Sequence, residues 1–241
     1  MVSQQLRDAY APRGRLRAAL NHGNRVLVSR REDGTPQGIT VDLASALAAA
    51  LGVELDFVEY DRAVDVSNSA TSGAWDICFL AVDPKRAETI DFTAPYVRIE
   101  GSYMAAPNTD YATSADLVNA GDPVGSVVGS AYSLTLRRLP GADHVTMYDD
   151  IFAMLSALDR GEVSAVAGIG SVMEKEAGLR PGARVLQPPF MEIRQAMAMP
   201  MGRDLASAHL KDFLADLLRS GALGEILERN GVDRTAAIVP A

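Results

Sequence analysis

Residues 75–82 read Trp75-Asp76-Ile77-Cys78-Phe79-Leu80-Ala81-Val82. Once past Asp76 the run is apolar without a break, and it lacks the period-two alternation of a strand with one wet face. It predicts a strand covered on both sides, entered through a Gly73-Ala74-Trp75-Asp76 turn. Its surroundings show what covers it. Upstream, Leu43, Ala46, Leu47, Ala50 and Leu51 recur at helical spacing, with Asp42 placed to cap the helix and Gly52 to end it. Residues 53–60 then alternate as a half-buried strand does. Residues 15–20 form another short strand that runs into the polar loop Asn21-His22-Gly23-Asn24. A hairpin is expected from residues 25–29 and the turn-forming Gly34-Thr35-Pro36-Gln37-Gly38. Strands separated by helices define an α/β sheet.

The same grammar restarts downstream. Ser114 is expected to cap a short helix, residues 124–128 to form a strand, and Gly129-Ser130 to open another helix. Asp150 caps a run with Ile151, Met154, Leu155 and Leu158 on one face, closed at Gly161, and residues 163–168 form a buried strand of small side chains. Leu205, Leu210, Phe213, Leu214, Leu217 and Leu218 then make an apolar helical stripe ended by Gly221. Two similar α/β units follow from this, with no Gly/Ser-rich linker between them. Units joined by ordered strands form a cleft whose hinge can close around a ligand.

Composition narrows the function. The 241 residues are 48% hydrophobic and 22% charged, which is ordinary globular composition and leaves one large or two smaller domains. A net charge of −8 opposes nucleic-acid and anionic-lipid partners. The single cysteine, Cys78, allows no internal disulfide and sits where a buried thiol is expected. Residues 1–20 carry Arg7, Asp8, Arg13, Arg15 and Arg17 and do not read as a secretory signal, and no stretch approaches the roughly 20 apolar residues of a membrane span. His22, His144 and His209 lie far apart with no Cys or carboxylate at metal-site spacing, so neither a metal nor a cofactor is expected. Phosphate loops, dinucleotide fingerprints and Gly-x-Ser-x-Gly elbows are absent from the sequence.

Several blocks, taken in order, resemble the bacterial solute-binding proteins that serve polar amino-acid importers. Gly38-Ile39-Thr40-Val41-Asp42-Leu43-Ala44 is similar to the signature that opens the family's first helix. Asp83-Pro84-Lys85-Arg86 followed by Asp91-Phe92-Thr93-Ala94-Pro95-Tyr96 resembles its Thr-Pro-Glu-Arg and Phe-Ser-x-Pro-Tyr blocks. Asp116-Leu117, Val124-Gly125 and Gly129-Ser130 match the start of the second lobe, residues 155–167 its Ala-Leu, Gly, Asp-Ala-Val-Val block, and Gly221, Leu223, Ile226 and Leu227 its last helix. The likeness runs from about residue 15 to residue 231, and the order of blocks is more specific than any one of them.

The resemblance implies the type II periplasmic-binding-protein fold, an α/β architecture of two lobes. Each is a mostly parallel sheet flanked by helices, and two crossing strands join them. Lobe one is expected over residues 1–105 and 198–241 and lobe two over 106–197, with crossings near 102–107 and 195–200 and the ligand at the strand carboxyl ends between lobes. It implies a monomeric, non-catalytic protein that closes on a small carboxylate-bearing ligand, without cofactor, and hands it to an ABC permease. The periplasm is implied too, against which a native start at Met1 would place the chain in the cytoplasm.

Arg86 stands where the family grips the ligand carboxylate; the plain alternative is a surface arginine paired with Glu88. Gly129 and Ser130 stand at a helix start that attracts an anion, or that is simply capped. Arg86 and Ser130 would clamp one carboxylate from two lobes. Two positions depart from the family. Ile169 replaces the aspartate that pairs with an α-ammonium, and Asp83 replaces a threonine, either to neutralise Arg86 in the empty site or to receive a cationic group. Glu100, Glu192 and Gln195 lie near the implied hinge. Asn24 and Tyr132 are further candidates for contact, and Trp75 is expected to pack. The competing reading is a dehydratase of cyclohexadienyl or arogenate type on the same scaffold, needing Glu100 or Glu192 as general acid; a third is a ligand-sensing module.

Overall fold

The arginine-rich start forms a helix, α1 (Gln4–Tyr10), because Ser3 caps it by accepting from Leu6 N–H and Tyr10 is fully buried. This is a computed structural model, describing residues 2–238. Strand β1 (Arg15–Asn21) follows, then the short pair β2 (Ser29–Arg30) and β3 (Pro36–Gln37), helix α2 (Ile39–Leu51), β4 (Glu54–Tyr60), α3 (Ala63–Asn68), β5 (Ile77–Ala81) and the long β6 (Ile90–Ala105). The chain continues through α4 (Ser114–Ala120), β7 (Val124–Val127), α5 (Ala131–Leu136), β8 (Val145–Tyr148), α6 (Ile151–Asp159), β9 (Ala165–Ile169), α7 (Gly170–Gly178) and β10 (Arg184–Val185). It returns through β11 (Met191–Pro200) into α8 (Asp204–Ser220) and α9 (Ala222–Arg229).

Two compact units result. One holds the residues up to Arg98 and from Arg194 onward, the other Ile99–Ile193. The divisions fall inside β6 and β11, at 98/99 and 193/194, where the sequence reading drew them at 105/106 and 197/198. These two strands carry the chain from one unit into the other.

In the first unit β1 lies between β4 and β5, parallel to both, and β11 joins β5 antiparallel with Gln195 opposite Ala81. All five residues of β5 are buried, as the unbroken apolar run requires. Helix α2 buries Ile39, Leu43, Leu47 and Leu51 at four-residue spacing. Another core forms around Trp75, Val66, Ala70, Ala19 and Ile90, and Trp75 donates its indole N–H to Ser69 Oγ at 2.9 Å. In the second unit β7 runs parallel to β8 and β9, and β9 pairs antiparallel with residues 101–105 of β6. Alternate residues feed two cores. Tyr103, Ala105, Ala165 and Ala167 pack with Leu117 and Leu136, while Met104 and Val166 pack with Met154, Leu158 and Met173.

Three local expectations change. Asp42 is not the cap of α2. Gly38 takes that place, and the Asp42 carboxylate in the first turn instead accepts from Arg229 and from Asn230 at 2.8 Å, tying α2 to the end of α9. Thr113, not Ser114, caps α4, in a reciprocal box with Asp116 that frees Ser114 to bond the Pro188 carbonyl at 2.7 Å. The expected hairpin shrinks to two residues a side, because Asn24 O accepts from both Leu27 N–H and Val28 N–H and winds residues 24–28 into a turn.

Cys78 is fully buried in β5, and burial pushes its thiol well above the usual range. Thiol-reactive probes are therefore expected to leave the folded protein unmodified and to add one label after denaturation, read by intact mass. Labelling at the rate of a free thiol without denaturant defeats this.

Candidate functional site

The chain leaves β5 at Ala81 and turns at once. Val82 N–H bonds the Arg194 carbonyl at 2.9 Å, and Asp83 O accepts from Ala87 N–H at 2.9 Å, closing one helical turn. Asp83 Oδ1 accepts from Lys85 N–H at 2.9 Å, which orients the carboxylate. This turn puts Asp83 and Arg86 on the same side, and both are buried, at 3% and 4% exposure. Arg86 Nη1 donates to Ala81 O at 3.0 Å, holding the guanidinium against the carboxyl end of β5. Desolvation lowers the Arg86 pKa, opposed more weakly by the negative charge of Asp83 and by Cys78, but an arginine keeps its charge in proteins. Glu88 is engaged by Lys85 at 2.7 Å on the exposed side of the turn.

Around this pair the first unit collects further polar groups. Gln195, 5% exposed, lies directly across the ladder from Ala81, and Thr93 Oγ donates to Met197 O at 3.0 Å. Tyr96 is fully buried, its hydroxyl makes no hydrogen bond, and burial together with Cys78 raises its pKa. Asn24 shares the unit and is 6% exposed, but its side chain is spent on its own turn, accepting from Val26 N–H at 3.3 Å.

In the second unit Ser130 caps α5, accepting from Ser133 N–H at 3.1 Å while donating to Val127 O at 2.8 Å. Gly129 precedes it with a left-handed φ of 69°. Tyr132, two residues on, packs beside the Tyr103 and Leu136 core, and burial pushes its phenol up to about 12 despite a hydrogen bond with Ser130. Ile169 ends β9 as an 8% exposed apolar side chain next to the start of α7. Glu100 and Glu192 are both exposed. The structure groups Asp83 with Arg86 on one turn, and Gly129 with Ser130 and Tyr132 at the start of α5, while Asn24 is buried in its own turn of the first unit. Among the described residues no group of three His, Cys, Asp or Glu side chains is placed to hold a metal, and no helix is long and apolar enough to cross a membrane.

Sequence reasoning missed one cluster. Asp76, fully buried, takes Arg17 Nε at 2.9 Å, Arg17 Nη2 at 2.8 Å and Arg203 Nη1 at 2.9 Å. It lies at the amino end of β5, the opposite end from Arg86. The signal that could have found it is an acid opening an otherwise apolar buried strand, since a charge there must be paired.

These features define a two-lobed α/β protein of the type II periplasmic-binding class. The chain belongs to the bacterial extracellular solute-binding proteins, family 3, whose model matches residues 16–232. It is 24% identical over 216 residues to the amino-acid-binding protein AabA of Dichelobacter nodosus, covering 85% of this chain and 83% of that protein. It is 28% identical over 139 residues to the membrane-bound lytic murein transglycosylase F of Maricaulis maris, covering 54% of this chain but only 30% of that protein. Among solved structures, a mutant of ArgBP from T. maritima superposes with a TM-score of 0.76 at 22% identity, covering 93% of this chain and 98% of that one. An ancestral amino-acid-binding protein described as a precursor of cyclohexadienyl dehydratase gives 0.76 at 19% identity, covering 94% and 99%.

Proposed function

We propose that this protein is a solute-binding protein that closes on a small carboxylate-bearing ligand through Arg86, for uptake by an ABC-type permease. The observation that carries the reading is the buried Arg86 guanidinium at the carboxyl end of β5, braced by the Ala81 carbonyl. A planar fork of charged donors in desolvated surroundings suits the two oxygens of a carboxylate. Membership of family 3 supports ligand binding as the activity. On the family's pattern Gly129 and Ser130 supply the second unit's donors, and Asp83, Tyr132, Glu100, Glu192 and Asn24 are the other candidates.

Ile169 constrains the ligand. Its position is the one where the resemblance places an acceptor for the α-ammonium, and an isoleucine accepts no hydrogen bond. An α-amino acid bound in that way would leave its ammonium unmatched at a cost of several kcal/mol. The dehydratase reading is weaker, because it needs a carboxyl kept protonated by apolar surroundings, and Glu100 and Glu192 are exposed.

The test is a thermal-shift screen of carboxylates, amino acids and polyamines against the full chain. A true ligand at about a hundredfold excess over its Kd adds roughly 2.7 kcal/mol, about 5–10 °C at this size. Arg86→Lys, which keeps the charge but loses the fork, is expected to reduce that shift by more than half, and Arg86→Ala to abolish it. A shift that survives both variants sinks the reading. Prephenate in the same panel, with ultraviolet detection of phenylpyruvate, tests the enzyme.

A further inference from the structure

We infer that Asn230 is a site of spontaneous deamidation, and that its conversion to a carboxylate releases the end of α9 from the start of α2.

Of the six asparagines in the chain only Asn230 is followed by glycine, the neighbour that least hinders attack of the next backbone nitrogen on the side-chain amide. It is half-buried, between the exposed Arg229 and the exposed Gly231. Gly231 takes a left-handed φ of 75° and closes the helix with two bonds, its own N–H to Glu228 O at 3.0 Å and Val232 N–H to Leu227 O at 2.9 Å. Asn230 Nδ2 donates to Asp42 Oδ2 at 2.8 Å and to Ile226 O at 2.8 Å, so both amide hydrogens are engaged. Arg229 Nη2 donates to the same Asp42 oxygen at 3.1 Å. Folding thus holds both reacting groups, the nitrogen on Glu228 and the amide on Asp42 and Ile226. The reaction waits on fraying of the last turn of α9, where the flanking residues already face water.

In the frayed state Gly231 N gives its proton to solvent and attacks Asn230 Cγ. The new N–Cγ bond forms as the Cγ–Nδ2 bond breaks, and Nδ2 leaves as ammonia with a proton from water. Water then opens the cyclic imide at either carbonyl and leaves aspartate or isoaspartate, with one new negative charge. When the turn closes again, the group that donated to Asp42 has become a second carboxylate beside it, and the two compete for Arg229. Ile226 O loses its side-chain donor, and the new charge stands at the carboxyl end of a helix, where the dipole disfavours it. The tie between α2 and α9 turns from attraction to repulsion.

The test incubates the full chain in mildly alkaline buffer, maps its peptides by mass and scores isoaspartate by enzymatic methylation. Asn230 is expected to convert ahead of the other asparagines, and about tenfold or more faster in the urea-unfolded chain than in the native one. Asp42→Ala, shown to be folded by circular dichroism, removes one holder of the amide and is expected to speed conversion of the native chain about threefold or more. Asn230→Asp is expected to melt below Asn230→Ala, which loses the donor without adding a charge. An Asn230 that outlasts the other asparagines, a rate unchanged by unfolding or by Asp42→Ala, or an Asn230→Asp protein as stable as Asn230→Ala overturns the inference.

Discussion

Asp76→Ala is expected to destabilise the protein by about 3–5 kcal/mol, the cost of leaving two partly buried arginines without their buried counter-charge. Asp76 has no exposed surface, and its two oxygens carry the backbone N–H of Arg17 at 3.0 Å, the Arg17 guanidinium, and Arg203 Nη1 at 2.9 Å. Arg17 is fixed on its other side by the carbonyls of Gly73 at 2.7 Å and Ala74 at 3.0 Å. One carboxylate thus joins β1, the turn into β5 and the entry to α8, three segments far apart in the chain. Removing it orphans charged donors at the bottom of the first sheet, whereas water screens the exposed pair of Arg15 with Asp56, and breaking that pair leaves no desolvated charge behind. For a chain of this size the loss corresponds to about 6–20 °C in melting temperature. Circular dichroism melts of Asp76→Ala beside Asp56→Ala measure the contrast. Equal, small shifts in the two variants would show that the buried cluster contributes no more than a surface pair.

How far the sequence reaches depends on how local the signal is. The unbroken run at 77–82 and the small-residue run at 163–168 announce β5 and β9 because burial on both faces leaves its mark in consecutive residues. Asp150 and Ser130 are legible as caps because a cap satisfies N–H groups only three residues away. The Asp76 cluster is illegible for the opposite reason: Arg17 and Arg203 look like ordinary surface arginines until the sheet order brings them to one point. Arg86 is intermediate. Its block marks it as special, but only the fold reveals that it is braced on Ala81 and shares its turn with a buried Asp83. The cap of α2 is misassigned from sequence because Asp42 has the right chemistry for a cap, whereas Gly38 is chosen by a close approach between backbones that periodicity does not record.

That approach carries the other large effect. Gly38 has φ 127° and ψ −178°, a region essentially reserved for glycine. A Cβ there would stand 2.5 Å from the Leu27 carbonyl oxygen and 2.9 Å from Val28 Cα, both backbone atoms with nowhere to swing. The same carbonyl accepts from Thr40 N–H at 3.1 Å and Thr40 Oγ1 at 3.3 Å, so moving it breaks the anchorage of α2 to the turn of residues 24–28. Gly38→Ala therefore combines about 1–3 kcal/mol of backbone strain with a steric cost of about 1–3 kcal/mol, and is expected to lose about 2–6 kcal/mol. Gly52, at the other end of the helix, supplies the control: its φ is 68°, but nothing lies within 4 Å of its Cβ position. Gly52→Ala meets only the left-handed penalty, about 1–2 kcal/mol. Urea unfolding of the two variants separates conformation from collision. If Gly38→Ala costs no more than Gly52→Ala, the contact with Leu27 yields without penalty, and the opening of α2 is set by φ alone.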